Sequence, residues 1–187
     1  MLVFARTPTP GRVKTRLVPR LGEWGAARLH ARLTARALRT ARAARCGPVE
    51  LYDSAKQRGA DLGERMYRAL SQALRRHRAA IVIGADCPAL RAFDVQRAAR
   101  LLAGGTEVVL APAEDGGYVL IGARRISPQL FAGIDWGSSM VFAQTAERLA
   151  GFRWKQLRML WDVDRPEDLE RLRALRFSSA PRPRARR

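Results

Sequence analysis

Residues 79–84, AAIVIG, make a continuous apolar, β-branched run that ends at Asp86-Cys87-Pro88. An alternating strand hides one face only, whereas a strand apolar at every position must be covered on both. Further strands are read along the chain at LVFA (2–5), VELY (49–52), VVLAP (108–112), YVLIG (118–122) and RWKQLRML (153–160). Between them lie stretches with helical spacing. Residues 22–45 carry Leu29, Leu33, Ala37, Ala41 and Ala44 on one face and stop at Gly47-Pro48. Residues 61–76 carry Leu62, Met66, Ala69, Leu70, Ala73 and Leu74, and further helices are predicted over 92–103, from Ser138 or Ser139 to about 150, and after Pro166. Strands alternating with helices imply an α/β fold of three layers, α/β/α, with a mostly parallel central sheet.

In such sheets ligands bind beyond the carboxyl ends of the strands. The loops expected there are PGRVKTR at 10–16, ADCP at 85–88, AEDGG at 113–117 and WDVDR at 161–165. Each carries charge, glycine or both, and their convergence on one edge defines a candidate site. In the first, Gly11, Arg12, Lys14, Thr15 and Arg16 suit a di- or triphosphate, which backbone N–H groups and cations bind together. Only Gly11 precedes Lys14-Thr15, and too closely for a P-loop, which excludes a Walker-type ATPase.

Asp86 follows a buried strand and suits Mg²⁺ or Mn²⁺, hard cations that take oxygen ligands alongside a shared phosphate. At most one of Asp162 and Asp164 is expected to face the site, with Asp164 the candidate. Glu114-Asp115-Gly116-Gly117 between two strands is a turn signal. Its paired glycines also allow a ligand to approach bare backbone, with Asp115 and Tyr118 as polar contacts. His30 and His77 sit in helices among arginines and are assigned no catalytic role. No Ser/His/Asp set and no G-x-S-x-G elbow is present.

Five ordered segments resemble one known group: PGRVKTRL at 10–17, the Q-x-x-x-DLGERM run from Gln57 to Met66, IGADCP at 83–88, PAEDGGYVLIG at 112–122 and DVDRPEDL at 162–169. The group is the bacterial rSAM/selenodomain-associated transferase family of the first type. It is glycosyltransferase-A-like and related to phospholactate and molybdenum-cofactor guanylyltransferases. The resemblance runs to about Leu175 and implies a nucleotide-diphospho-sugar transferase fold. It implies that Gly11, Arg12, Lys14 and Arg16 hold nucleotide phosphates and that Asp86 and Asp164 hold the metal. Asp115, Gly116, Gly117 and Tyr118 would line the acceptor side. Departures are Arg6 and Arg165 where relatives usually have Lys and Thr, a missing second acid after Asp86, and a segment between Tyr52 and Gln57 far shorter than the family's.

The expected activity is metal-dependent transfer from a nucleotide-activated donor to a small-molecule acceptor, with a nucleotide-diphosphate sugar as the leading donor. Lys14 would neutralise donor phosphates, and Asp115 would orient or deprotonate an acceptor hydroxyl. The alternative is guanylyltransferase-like nucleotidyl transfer to a phosphorylated acceptor. A third reading, of another class, is a basic nucleic-acid-binding protein with a vestigial site. It rests on 35 Lys and Arg against 17 Asp and Glu, a net +18. The arginines, however, are spread along helices among alanines, and no aromatic-interleaved basic strand accompanies them.

A single domain is expected over 1–177, followed by a basic, Pro-rich tail at 178–187 expected to be disordered. Two isolated thiols, Cys46 and Cys87, the lack of any membrane-length apolar run and the lack of a signal-peptide core point to the cytoplasm.

Overall fold

The computed structural model describes residues 1–178. One six-stranded sheet runs through it in the order β2-β1-β3-β5-β4-β6. The strands are β1 (Leu2–Phe4), β2 (Glu50–Tyr52), β3 (Ala80–Gly84), β4 (Val108–Pro112), β5 (Tyr118–Ala123) and β6 (Trp154–Gln156). β1 pairs in parallel with β2 and β3, and β4 with β6. β5 alone is reversed, antiparallel to both β3 and β4, because it returns from β4 through the short 113–117 turn. The last strand is shorter than the one expected over 153–160. Beyond Gln156 only an isolated bridge from Leu160 to Ala113 continues it.

The helices are α1 (Val18–Ala43), α2 (Leu62–Leu74), α3 (Ala92–Ala103), α4 (Val141–Arg148) and α5 (Asp168–Ser178). The turn at Thr15–Leu17 runs straight into the first residues of α1, and the long helical body begins at a kink, where its apolar spacing starts it. Gly22, at φ 67°, marks that kink. The fully apolar β3 is covered on both sides, as its composition requires. Ile81 and Ile83 pack with Ala37 and Ala41 of α1 and Val95, Ala98 and Leu102 of α3. Ala80 and Val82 pack with Met66, Ala69 and Leu70 of α2 and with Leu149 just past α4. The alanine stripe of α1 lets that helix lie close on the sheet. Ser178, the first residue of the basic tail, ends α5; residues 179–187 lie outside the described part.

Asp94, 3% exposed, fastens α3 to the segment after β6. It accepts the Arg91 N–H at 2.9 Å as an N-terminal cap, and takes Arg158 Nε at 2.7 Å and Nη2 at 2.8 Å. Burial alone would disfavour its charge. The Arg158 fork and the Arg91 N–H outweigh that and hold its carboxyl below the usual range. A depressed folded-state pKa gives stability that is present above the unfolded value of about 3.9 and is lost as pH falls through the folded one. Asp94→Asn is expected to lose about 2 kcal/mol at pH 7, with the deficit shrinking below about pH 4. Urea unfolding at pH 7 and pH 3 measures this. A deficit of equal size at both pH values would refute the assignment.

Candidate functional site

The carboxyl ends of β1, β3 and β4 face one edge, and residues 160–164 run alongside them. Leu160 N–H donates to the Pro112 carbonyl at 2.9 Å, Glu114 N–H to the Leu160 carbonyl at 2.9 Å, and Val163 N–H to the Asp86 carbonyl at 3.0 Å. This stitching brings the loops at 14–16, 85–86 and 161–164 together around a cavity of about 500 Å³. Lys14, Thr15, Arg16, Asp86 and Asp164 line it, with Arg6, Gln57 and Arg65 completing the rim. A larger hollow of about 710 Å³ between α1 and α5 has leucines and arginines but no carboxylate, so the charged chemistry converges on the sheet edge.

Lys14 adopts a left-handed backbone, φ 50° and ψ 42°, a conformation that costs a non-glycine residue about 1 kcal/mol or more. The turn thereby drives its side chain inward, where it is 5% exposed. Nζ sits 2.9 Å from Asp86 Oδ2 and donates to the Val163 carbonyl. Arg16, two residues on, pairs with Asp164. Two of the three cations expected on phosphate are thus paired with the two acids expected on metal. Gly11 and Arg12 stand apart from the cavity: Gly11, at φ 72°, makes the loop reversal beside Glu23, and Arg12 is exposed.

Of Asp162 and Asp164, Asp164 lines the cavity, as expected, and Asp162 lies beside it without lining it. In extended backbone, residues two apart point the same way, and here Trp161 and Val163 are buried while both acids are partly open. Burial first, then the neighbouring charges of Asp115 and Asp86, push the Asp162 carboxyl up to about 6, with Lys14 opposing. Asp162 thus feels the charges of Asp115, Lys14 and Asp86, a coupling the expected set omits. The cap of α5 is Asp168, which accepts from the N–H groups of Asp164 and Arg165 at 2.9 and 2.7 Å and leaves Asp164 to Arg16.

His30 is the second omission. It lies in the buried stripe of α1 with Ala26, Leu33 and Ala37, and that register was the available clue. Its Nδ1 is 3.3 Å from Asp86 Oδ1, and its Nε2 is 2.9 Å from the Arg6 carbonyl. Burial disfavours the Asp86 charge, yet the His30 and Lys14 contacts together hold its carboxyl below the usual range.

The Asp-Gly-Gly-Tyr loop departs from its expected role in two places. Gly116, at φ 90°, is not left bare for a ligand. A Cβ there would lie 2.0 Å from the Ser139 carbonyl oxygen, and Phe142 N–H donates to the Gly116 carbonyl at 2.8 Å. The close approach is made by the chain itself. Tyr118 is turned into the core, its hydroxyl 4.0 Å from Met66 Sδ and its ring edge-on to Trp136; burial pushes the hydroxyl's pKa up. Asp115 is exposed at the turn, where its Oδ1 accepts the Gly117 N–H at 2.9 Å. Trp136 closes over this side, its indole against Gly63 of α2, with Nε1 buried and lacking a partner.

The short segment after β2 closes as a turn on Asp53, whose Oδ1 accepts the Ala55 N–H at 3.1 Å. Gln57 then bridges the ends of β1 and β2, its Nε2 donating to the carbonyls of Ala5 at 3.0 Å and Tyr52 at 2.8 Å. Among the described residues, no three acids, histidines or cysteines are grouped to hold a metal by themselves. Asp86 and Asp164 nevertheless both line the cavity. With Asp162 and Asp164 nearby, the donor set fits a hard cation that completes its shell with phosphate oxygens and water.

A mostly parallel sheet with one reversed strand, helices on both faces and charged loops gathered at the carboxyl edge is the architecture of the nucleotide-diphospho-sugar transferases. Residues 25–138 match the model of the family described as "Uncharacterized protein conserved in bacteria (DUF2064)", and the chain belongs to that family. Its structure is similar to that of a protein from Desulfovibrio desulfuricans G20 described as a "putative nucleotide-diphospho-sugar transferase". Identity is 30%, with 96% of this chain and 87% of that one covered and a TM-score of 0.85. The fold is also shared with a CMP:2-keto-3-deoxy-manno-octonic acid synthetase complexed with CTP, at 13% identity, 96% and 98% coverage and a TM-score of 0.55. Rv0371c from Mycobacterium tuberculosis H37Rv shares it too, at 17% identity, 91% and 95% coverage and a TM-score of 0.53. No curated protein matches the sequence. No helix among the described residues is long and apolar enough to cross a membrane.

Proposed function

We propose that this chain is a transferase that binds a nucleotide-activated donor at the β1–β3 edge, most specifically a nucleotide-diphosphate sugar. The five ordered motifs support reading it as a transferase of the rSAM/selenodomain-associated group of the first type. The carrying observation is the crosswise pairing of Lys14 with Asp86 and of Arg16 with Asp164. Two cations and two acids at the mouth of one cavity neutralise each other when it is empty. A diphosphate arriving with a divalent cation offers each a replacement partner of opposite charge.

In this reading Lys14, Arg16 and the Thr15 turn take the phosphates, and Asp86 holds Mg²⁺ or Mn²⁺ with Asp162 or Asp164. When bound, the cation supplies Lewis-acid stabilisation of the leaving phosphate. Asp115, exposed on the neighbouring turn, orients an acceptor hydroxyl or takes its proton. The acceptor is a small molecule, and the working compartment is the cytoplasm.

Products separate the two transfer chemistries. Incubated with nucleotide sugars, nucleoside triphosphates and Mg²⁺, the protein is expected to release nucleoside diphosphate from a sugar nucleotide, the sugar passing to water in place of the acceptor. Pyrophosphate release from a triphosphate would instead establish nucleotidyl transfer, and the absence of both would overturn the enzymatic reading.

A further inference from the structure

His30 touches the proposed site without a part in the steps above. It is 4% exposed and lies in the body of α1 beyond the Gly22 kink. Its Nε2 lies 2.9 Å from the Arg6 carbonyl, which can only accept, so Nε2 carries a proton. Its Nδ1 and Asp86 Oδ1 are both sealed from solvent and have no hydrogen-bond partner elsewhere among the described residues. At 3.3 Å they have only each other; the carboxylate oxygen accepts, so Nδ1 is the donor and both ring nitrogens carry a proton in this contact. The other Asp86 oxygen faces Lys14 Nζ at 2.9 Å.

The two clamps on Asp86 differ in kind. Lys14 is a long, flexible side chain on a loop whose left-handed backbone stores strain. His30 is a short ring on a long helix, with its far nitrogen anchored. When a diphosphate draws Lys14 away, an aspartate clamped by lysine alone would lose its orientation.

We propose that His30 is a positioning residue that keeps the Asp86 carboxylate aimed into the cavity while Lys14 moves to the phosphates of an incoming nucleotide. The inference rests on reading that cavity as the nucleotide site. The two nitrogens allow the role to be separated from simple structural anchoring. Asparagine puts its amide near the position of Nδ1, the side facing Asp86; glutamine reaches the position of Nε2, the side facing Arg6.

The test uses the full chain, with Mg²⁺ and inorganic pyrophosphate as a base-free probe. Binding is measured by calorimetry with Mg²⁺ and again with EDTA, beside the thermal midpoint of each variant. His30→Gln is expected to weaken Mg²⁺-dependent binding about tenfold, as loss of a ligand-orienting partner does. Its binding in EDTA should be unchanged, and His30→Asn should stay within about threefold of wild type. Undiminished Mg²⁺-dependent binding by His30→Gln would overturn the proposal, as would equal losses in both variants that track their thermal midpoints. A wild-type protein without Mg²⁺-dependent binding would overturn the nucleotide-site reading and this inference with it, so the wild-type titration tells the two failures apart.

Discussion

Asp86→Asn is expected to remove metal-dependent nucleotide binding and to leave the fold standing. The amide has the shape of the carboxylate, and its oxygen can still accept from Lys14, so the stitching of Asp86 to Val163 through the backbone persists. What disappears is the charge. A hard cation held by one or two carboxylates and shared phosphates depends on that charge for its protein ligand, and its loss should weaken binding by about 100-fold or more. Lys14, freed from its anion, would still attract phosphate. Residual binding should therefore no longer respond to Mg²⁺. Calorimetry of a nucleoside diphosphate with Mg²⁺ and with EDTA, beside circular dichroism of the variant, checks both halves. Mg²⁺-dependent affinity within threefold of wild type would remove Asp86 from the site.

Gly116→Ala should be the most damaging of the small substitutions in the Asp-Gly-Gly loop. The added methyl would sit 2.0 Å from the Ser139 carbonyl oxygen, a backbone atom that cannot rotate aside, and φ at Gly116 is 90°. Relief requires moving residues 138–140 off the turn, breaking the Phe142 N–H bond to the Gly116 carbonyl that leads into α4. Backbone strain and the overlap together predict a loss of about 3 kcal/mol. Gly117→Ala supplies the contrast. Its φ is unremarkable and its nearest neighbour is a side-chain oxygen of Asp115 at 3.3 Å, so the expected cost is below about 1 kcal/mol. Chemical denaturation of both variants measures the difference. Equal stability of Gly116→Ala and wild type would mean that Ser139 does not lie over the turn.

Much of the fold was legible because its signals are local. The fully apolar 79–84 run predicted a strand covered on both faces, and Ile81/Ile83 and Ala80/Val82 do divide between two cores. The helix at 92–103 follows from its periodicity and the terminal Gly104-Gly105. The reversed β5 and its place between β3 and β4 depend on pairing between distant segments, which no local pattern encodes. The same divide runs through the site. Lys14, Arg16, Asp86 and Asp164 stand out as charged loop residues after strands, and the structure gathers them at one cavity.

His30 was hidden because a polar residue in an apolar stripe gains meaning only from what the stripe packs against. Asp162 feels the site's charges from beside the cavity, a coupling that arises only when distant loops are brought together. Gly116 and Tyr118 looked like ligand contacts because a glycine that admits a backbone and a glycine that admits a ligand read alike. Which of the two approaches is decided by Ser139, more than twenty residues away.

The central claim is that the β1–β3 edge binds a nucleotide-activated donor with a divalent cation. Thermal unfolding of the wild-type chain across a panel of nucleoside diphosphates, triphosphates and nucleotide sugars, each with Mg²⁺, with Mn²⁺ and with EDTA, tests it most directly. The account predicts that at least one nucleotide raises the midpoint only when the cation is present, by several degrees at concentrations about 100-fold above Kd. A midpoint unmoved by every nucleotide, with either metal, would contradict it.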